Sequence, residues 1–172
     1  MTDSGIQVFE VSNSQWERVR DLRLASLLDS PEAFGASHET ESQMTEEQWL
    51  ERFSVAHPII ASVSGVDAAI MTVQELDGDF GATIWLGGCW VDPRFRGQGL
   101  MRAMLNYVDS VANKRGWRRQ GLGVWPDNYS AIAAYEKLGF ERMGDLQEST
   151  RKPGVFYQRM IRDTPQHILC RL

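Results

Sequence analysis

The sequence predicts one α/β domain, a mixed sheet with helices on its faces. Three observations carry that reading. Strand-like and helix-like periodicities follow one another in the order βααβββαβαββ. Two of the helix-like runs begin directly after a strand, across the short turns "DPRFRGQG" (92–99) and "WPDN" (125–128). At 172 residues and 42% hydrophobic, the chain is long enough to bury a single core without disulfide or metal support.

Each element has its own signal. "IQVFEV" (6–11) alternates like a strand, and residues 14–28 form a helix with Trp16, Val19, Leu22 and Leu27 on its apolar stripe. "DSPEAFG" stops that helix. A second helix starts at Thr45, because Thr45 and Gln48 stand at capping-box spacing before Trp49, Leu50 and Phe53. "PIIASVS" and "AAIMTVQEL", separated by "GVD", read as a hairpin. "DGDFG" turns the chain into a long strand, 82–92, where Gly87 and Gly88 predict a β-bulge or a close backbone approach. Leu100, Met104, Val108 and Val111 then recur at helical spacing. "RQGLGVW" is a strand and "NYSAIAAYEKL" a helix that Gly139 caps in the left-handed conformation. "FERMG" and "GVFYQRMIR" complete the domain, taken as residues 1–163, and 164–172 is a tail.

Composition narrows the function. No apolar run approaches the roughly 20 residues of a membrane-spanning helix, and no apolar N-terminal stretch reads as a signal peptide. Cys89 and Cys170 are too few for a disulfide framework, so a reducing cytoplasm is expected. His38, His57 and His167 lack metal-ligand spacing, and no metal is expected. The net charge is −5, yet residues 94–119 hold seven basic residues against one acid, Asp109. A basic block in an acidic chain points to a local anionic ligand rather than to nucleic acid, or, for its last four residues, to a solvated helix face.

"RFRGQGLM" (94–101) is the obvious anion site. A helix N-terminus offers free N–H groups and a partial positive charge, and the glycines let a phosphate approach the backbone. Arg94 and Arg96 can add charge-assisted contacts. No Gly-Lys-Ser/Thr follows, and the third glycine of a dinucleotide fingerprint would fall on Arg102, so both of those phosphate motifs are excluded.

Together with "WPDNYSAIAAYEKLGF" (125–140), the stretch "VDPRFRGQG" resembles the GCN5-related N-acetyltransferase superfamily. Val91 and Pro93 anchor the phosphate loop so that Arg96 opens it, Gly99 is its fourth position and Met101 its sixth, where relatives usually have a small residue. Asn128, Ala131, Tyr135, Gly139 and Phe140 match the later signature. The resemblance implies a mostly antiparallel twisted sheet, splayed between its fourth and fifth strands, with helices on both faces. It implies acetyl-CoA as co-substrate, with the backbone of Arg96, Gly97, Gln98, Gly99, Leu100 and Met101 on the pyrophosphate. Trp90 and Val91 would pair their backbone with the pantetheine arm, Asn128 and Ala131 would line it, and Tyr135 would return a proton to the departing thiolate. By spacing alone, Tyr135 reads as an aromatic on a buried helix face beside Leu138.

The implied activity is acetyl transfer to a primary amine, of a small molecule by preference; homodimers are common among relatives. A protein N-terminus or lysine is the alternative acceptor, and an acyl-CoA sensor without turnover the alternative class. For the base, Glu75 stands first, then Glu39 and Glu41, or a relay through water. Phe34, Trp49 and Tyr157 are expected either as acceptor-pocket walls suited to a cationic amine or, for Phe34 and Trp49, as core anchors.

Overall fold

The computed structural model describes residues 5–166, so Cys170, His167 and most of the expected tail lie outside the described residues. The strands are β1 (Ile6–Glu10), β2 (His57–Val63), β3 (Val66–Glu75), β4 (Ile84–Val91), β5 (Arg119–Val124), β6 (Glu141–Glu148) and β7 (Phe156–Asp163). The α-helices are α1 (Trp16–Asp29), α2 (His38–Glu41), α3 (Glu46–Arg52), α4 (Leu100–Arg115) and α5 (Tyr129–Lys137). The predicted order holds, with α2 as an addition: a single turn too short for periodicity to reveal, capped by Ser37, whose Oγ accepts from the Thr40 N–H. None of these helices is long and apolar enough to cross a membrane.

One seven-stranded sheet runs in the order β1-β2-β3-β4-β5-β7-β6. Only β4 and β5 are parallel, and they pair over just three residues each, Ile84–Leu86 against Gln120–Leu122. Beyond Leu86 the two strands part, as the fold expectation required. Alternate residues of the central strands feed two layers. Ile59, Ala61 and Met71 face α4, packing with Leu100, Met104 and Val108. Ile60 and Ile70 face α1, packing with Val19, Leu22 and Trp90.

Local chemistry explains several boundaries. Thr45 and Gln48 form the predicted capping box at α3. The β2–β3 hairpin is tighter than "GVD" suggested: Val63 pairs with Val66 across Ser64 and Gly65, both at positive φ, the conformation of a type I′ turn. The predicted bulge is present. Thr72 opposes Gly87 and Ile70 opposes Trp90, so two β4 residues lie opposite Met71 alone. Gly88 takes φ +59 there, which a side chain would resist. Gly139 has φ +94 after α5, as expected.

Four of the seven basic residues of the block are paired with carboxylates, three of them remote in sequence. Arg94 pairs with Asp92, Arg96 with Asp29, Arg115 with Glu10 and Arg119 with Asp163. Asp109, the block's lone acid, is buried against Arg162 at 2.7 Å. The expectation of a local anionic ligand for the block is thereby narrowed, because the folded chain itself supplies counter-charge to Arg94, Arg96, Arg115 and Arg119.

Candidate active site

The parting of β4 and β5 opens two cavities along one strand. Leu86, Gly87 and Gly88 line a cavity of about 260 Å³. Cys89, Trp90 and Val91 line a second, of about 450 Å³. Ala33 and Phe34 line both, so the cavities meet at the bulge beneath the segment that follows α1.

The second cavity has the attributes of a site for a nucleotide-linked thiol arm. Its floor is the unpaired edge of β4, whose backbone has no strand neighbour on the β5 side past Leu86. One end is bounded by Arg96 and Met101. There Gly99 caps α4 in the left-handed conformation with no side-chain cap, leaving the first-turn N–H groups of Leu100, Met101 and Arg102 without an intrahelical acceptor. A Cβ built on Gly97 or Gly99 would meet nothing within 4 Å, so the approach to this backbone is open. Gln98 lies exposed between the two. Met101 packs partly against the main core while lining the cavity.

Arg96 is engaged differently from the sequence expectation. Its Nε donates to the Val91 carbonyl at 3.0 Å and Nη2 to Asp29 Oδ2 at 2.6 Å. Trp90 donates from Nε1 to the same Asp29 oxygen. Hydrogen bonds from Trp90, then Ser30 and Arg96, hold the Asp29 carboxyl below the usual carboxylate range. The C-terminal end of α1 is thereby tied to both β4 and the glycine turn. Arg94 is held bidentately by Asp92, so the backbone N–H groups are the free donors of this turn.

The other end of the cavity belongs to α5. Asn128 caps that helix, its Oδ1 accepting from the Ala131 N–H at 3.3 Å, and both residues line the cavity. Nearly two turns on, Tyr135 stands edge-on to Phe140 and lines the cavity beside Cys89. Burial pushes the Tyr135 phenol well above its ordinary pKa, and its neighbour Cys89 reinforces this. Burial likewise pushes the Cys89 thiol up to about 11. At neutral pH both groups are therefore protonated.

The first cavity is aromatic, with Phe34, Trp85, Trp125 and Tyr157 among its walls. Its shape depends on glycines in β5. A Cβ on Gly121 would lie 2.6 Å from Trp85, and one on Gly123 would lie 2.9 Å from Tyr157. Phe34 and Tyr157 are thus where the sequence expected pocket walls. Trp49 is not: it is 1% exposed, with Arg52 stacked on its ring, and lines neither cavity. The three carboxylates named from sequence are not brought here either. Glu75 accepts from Trp117 Nε1 at 2.9 Å and lies 3.4 Å from His57, lining neither cavity. Glu39 is exposed on α2. Glu41 is buried between Arg23 and Arg52; burial would raise its pKa, but their hydrogen bonds prevail and hold it low.

Sequence reasoning missed Trp85, Trp125, Arg23, Arg151 and Glu32. Glu32 is the one carboxylate among the residues lining either cavity. It lies inside "DSPEAFG", where proline and glycine signalled only a break. Among the described residues no cluster of three His, Cys, Asp or Glu is placed to hold a metal ion.

Comparison with known proteins agrees with this geometry. The model of the acetyltransferase (GNAT) family matches residues 16–140. A GNAT-family acetyltransferase from Streptococcus pneumoniae superposes with a TM-score of 0.75 at 16% identity, over 93% of this chain and 99% of that one. YncA from Salmonella typhimurium, solved with its cofactor acetyl-CoA, gives 0.71 at 15% identity, over 95% and 96%. The ribosomal-protein-S18-alanine N-acetyltransferase of Escherichia coli gives 0.65 at 20% identity, over 94% and 95%. With the splayed strands, the open glycine turn and the family model spanning most of the domain, the chain belongs to the acetyltransferase (GNAT) family.

Proposed function

We propose that the protein transfers an acetyl group from acetyl-CoA to the primary amine of a small molecule, with Tyr135 as general acid. One observation carries this reading: a cleft runs from the N-terminus of α4 along the open edge of β4 to Tyr135 and meets a separate aromatic cavity at Phe34. Acetyl-CoA, when bound, supplies the activated acetyl group. Free amides of the α4 first turn suit its pyrophosphate, and the unpaired β4 edge suits its amide-rich arm. The modest volume of the aromatic cavity favours a small acceptor over a protein segment.

The roles then follow. Phe34 and the aromatic walls hold the amine at the junction, converting a two-body encounter into a positioned attack. Backbone N–H groups of the parting strand stabilise charge developing on the carbonyl oxygen. As the new C–N bond forms and the C–S bond breaks, Tyr135 gives its proton to the sulfur. The amine's surplus proton leaves through water to Glu32, and solvent reprotonates Tyr135.

The test has two stages. Saturating acetyl-CoA at about 100 times its Kd adds about 2.7 kcal/mol to stability. That corresponds to a melting-temperature rise of roughly 5–10 °C for a chain of this size. No rise at millimolar acetyl-CoA would remove both the enzyme and any sensor role. Thiol release across an amine panel then separates the two. Within that assay, Glu32→Gln is expected to lower kcat/KM roughly 10²-fold at neutral pH. The loss should shrink as pH rises and the amine arrives already neutral. A pH-independent loss would remove Glu32 as proton acceptor.

A further inference from the structure

Whereas the sequence suggested a cationic acceptor, the lining of the acceptor cavity points to the opposite charge. We propose that the acceptor amine carries a carboxylate, as in a free amino acid, and that Arg151 binds this group; the inference rests on the acetyl-transfer reading above. In a chain of net charge −5, the residues lining this cavity include two arginines, Arg23 and Arg151, and not one carboxylate. A cavity with that lining disfavours an ammonium group distant from the reacting nitrogen and attracts an anion.

The two arginines differ in what they have left to offer. Arg23 uses Nε and Nη2 on Glu41, at 3.0 and 3.2 Å, and stacks over Phe34 at 4.9 Å. Its Nη1 faces the bulge, 3.6 Å from where a Cβ on Gly88 would stand. Glu41 also receives Arg52, so the trio retains one positive charge and the carboxylate is fully used. The Arg151 guanidinium makes no ion pair among the described residues. Its aliphatic stem passes Gly35, with Cδ 3.4 Å from a Cβ built there, at the rim where the cavity opens to solvent. A planar guanidinium with free donors is suited to a carboxylate in bidentate geometry.

The remaining lining defines the body between amine and carboxylate. Trp85, Trp125 and Tyr157 present ring faces and edges, and the Trp125 Nε1 is buried without a hydrogen-bond partner. The chemistry balances as before. The amine nitrogen gains the acetyl carbon, the C–S bond breaks, one proton leaves the nitrogen and Tyr135 gives one to sulfur. The carboxylate takes no part beyond binding.

Matched pairs of acceptors test the proposal: phenylalanine with phenethylamine, and β-alanine with propylamine, assayed by thiol release. The carboxylated member is expected to have the higher kcat/KM, roughly 10- to 100-fold, the range of a hydrogen bond to a charged group. Arg151→Ala should erase that preference by lowering kcat/KM for the carboxylated member far more than for the uncharged one, and Arg151→Lys should restore part of it. In parallel, titration calorimetry on the coenzyme A-saturated protein compares N-acetylphenylalanine with N-acetylphenethylamine. Thiol release without a carboxylate preference, or an Arg151→Ala effect equal for both members, overturns the inference and leaves acetyl transfer standing. A carboxylate preference in binding that depends on Arg151, with no thiol release from any amine, sustains Arg151 as a carboxylate site but overturns the acetyl-transfer reading and, with it, the acceptor role. Equal binding of the two acetylated compounds overturns the inference.

Discussion

Tyr135→Phe is expected to lower kcat by roughly 10²–10⁴-fold, the usual contribution of a positioned proton donor. The substitution removes only the hydroxyl. The ring's edge-on contact with Phe140 and its packing beside Ala131 remain, so stability and acetyl-CoA affinity should change little. The pH profile is the sharper readout. Because burial raises the Tyr135 pKa well above its ordinary value, the acid form persists through neutral and moderately alkaline pH. Any alkaline fall in kcat caused by Tyr135 therefore lies above pH ~10. Activity should be flat or rising with the fraction of neutral amine up to that point. An unchanged kcat in Tyr135→Phe with the best acceptor would assign the acid elsewhere.

The second large effect concerns the support beneath α4. Asp109 accepts from Arg162 Nη2 and from Gln120 Nε2, both at 2.7 Å, and Gln120 is fully buried. Gln120 also accepts from Arg162 at 2.9 Å and donates to Thr164 at 3.1 Å, while Arg162 Nη1 donates to the Leu138 carbonyl. The network joins α4, β5, β7 and the end of α5, the helix that carries Tyr135. Asp109→Ala leaves a buried guanidinium without its counter-ion, at a cost of about 3–5 kcal/mol. At roughly 2–4 °C per kcal/mol for a chain of this size, the melting temperature should fall by about 6–20 °C. Calorimetry checks it. A fall of less than a few degrees would mean that Arg162 relaxes to solvent. Asp109→Asn, which keeps an acceptor, should lose less.

These two residues also show how unevenly the sequence speaks. The helix that carries Tyr135 was legible from its period, the Asn128 cap and the glycine stop, whereas the proposed role of Tyr135 came only from the resemblance to a known family. Asp109 was visible only as an odd acid among bases. Its meaning depends on Arg162, which lies 53 positions away in sequence. Glu75 illustrates the converse: it sits on the strand where a base was sought, but its carboxylate belongs to Trp117 and His57. The basic block misled in the same manner, because charge counted along a chain ignores partners such as Asp29 and Glu10, brought in from far away.

The sequence by itself determined the order of elements, the bulge at Gly87 and Gly88, the open turn before α4 and the helix that carries Asn128 and Tyr135. All of these follow from caps, glycine punctuation and side-chain period, which act over a few residues. Tertiary structure decided which arginines are already neutralised, which carboxylate reaches the cleft, and the size and charge of the aromatic cavity. That cavity exists because Trp85 lies across Gly121 and Tyr157 across Gly123, while Arg151 arrives from the turn before β7. Burial and unpaired charge are properties of neighbours in space, and here those neighbours come from segments remote along the chain.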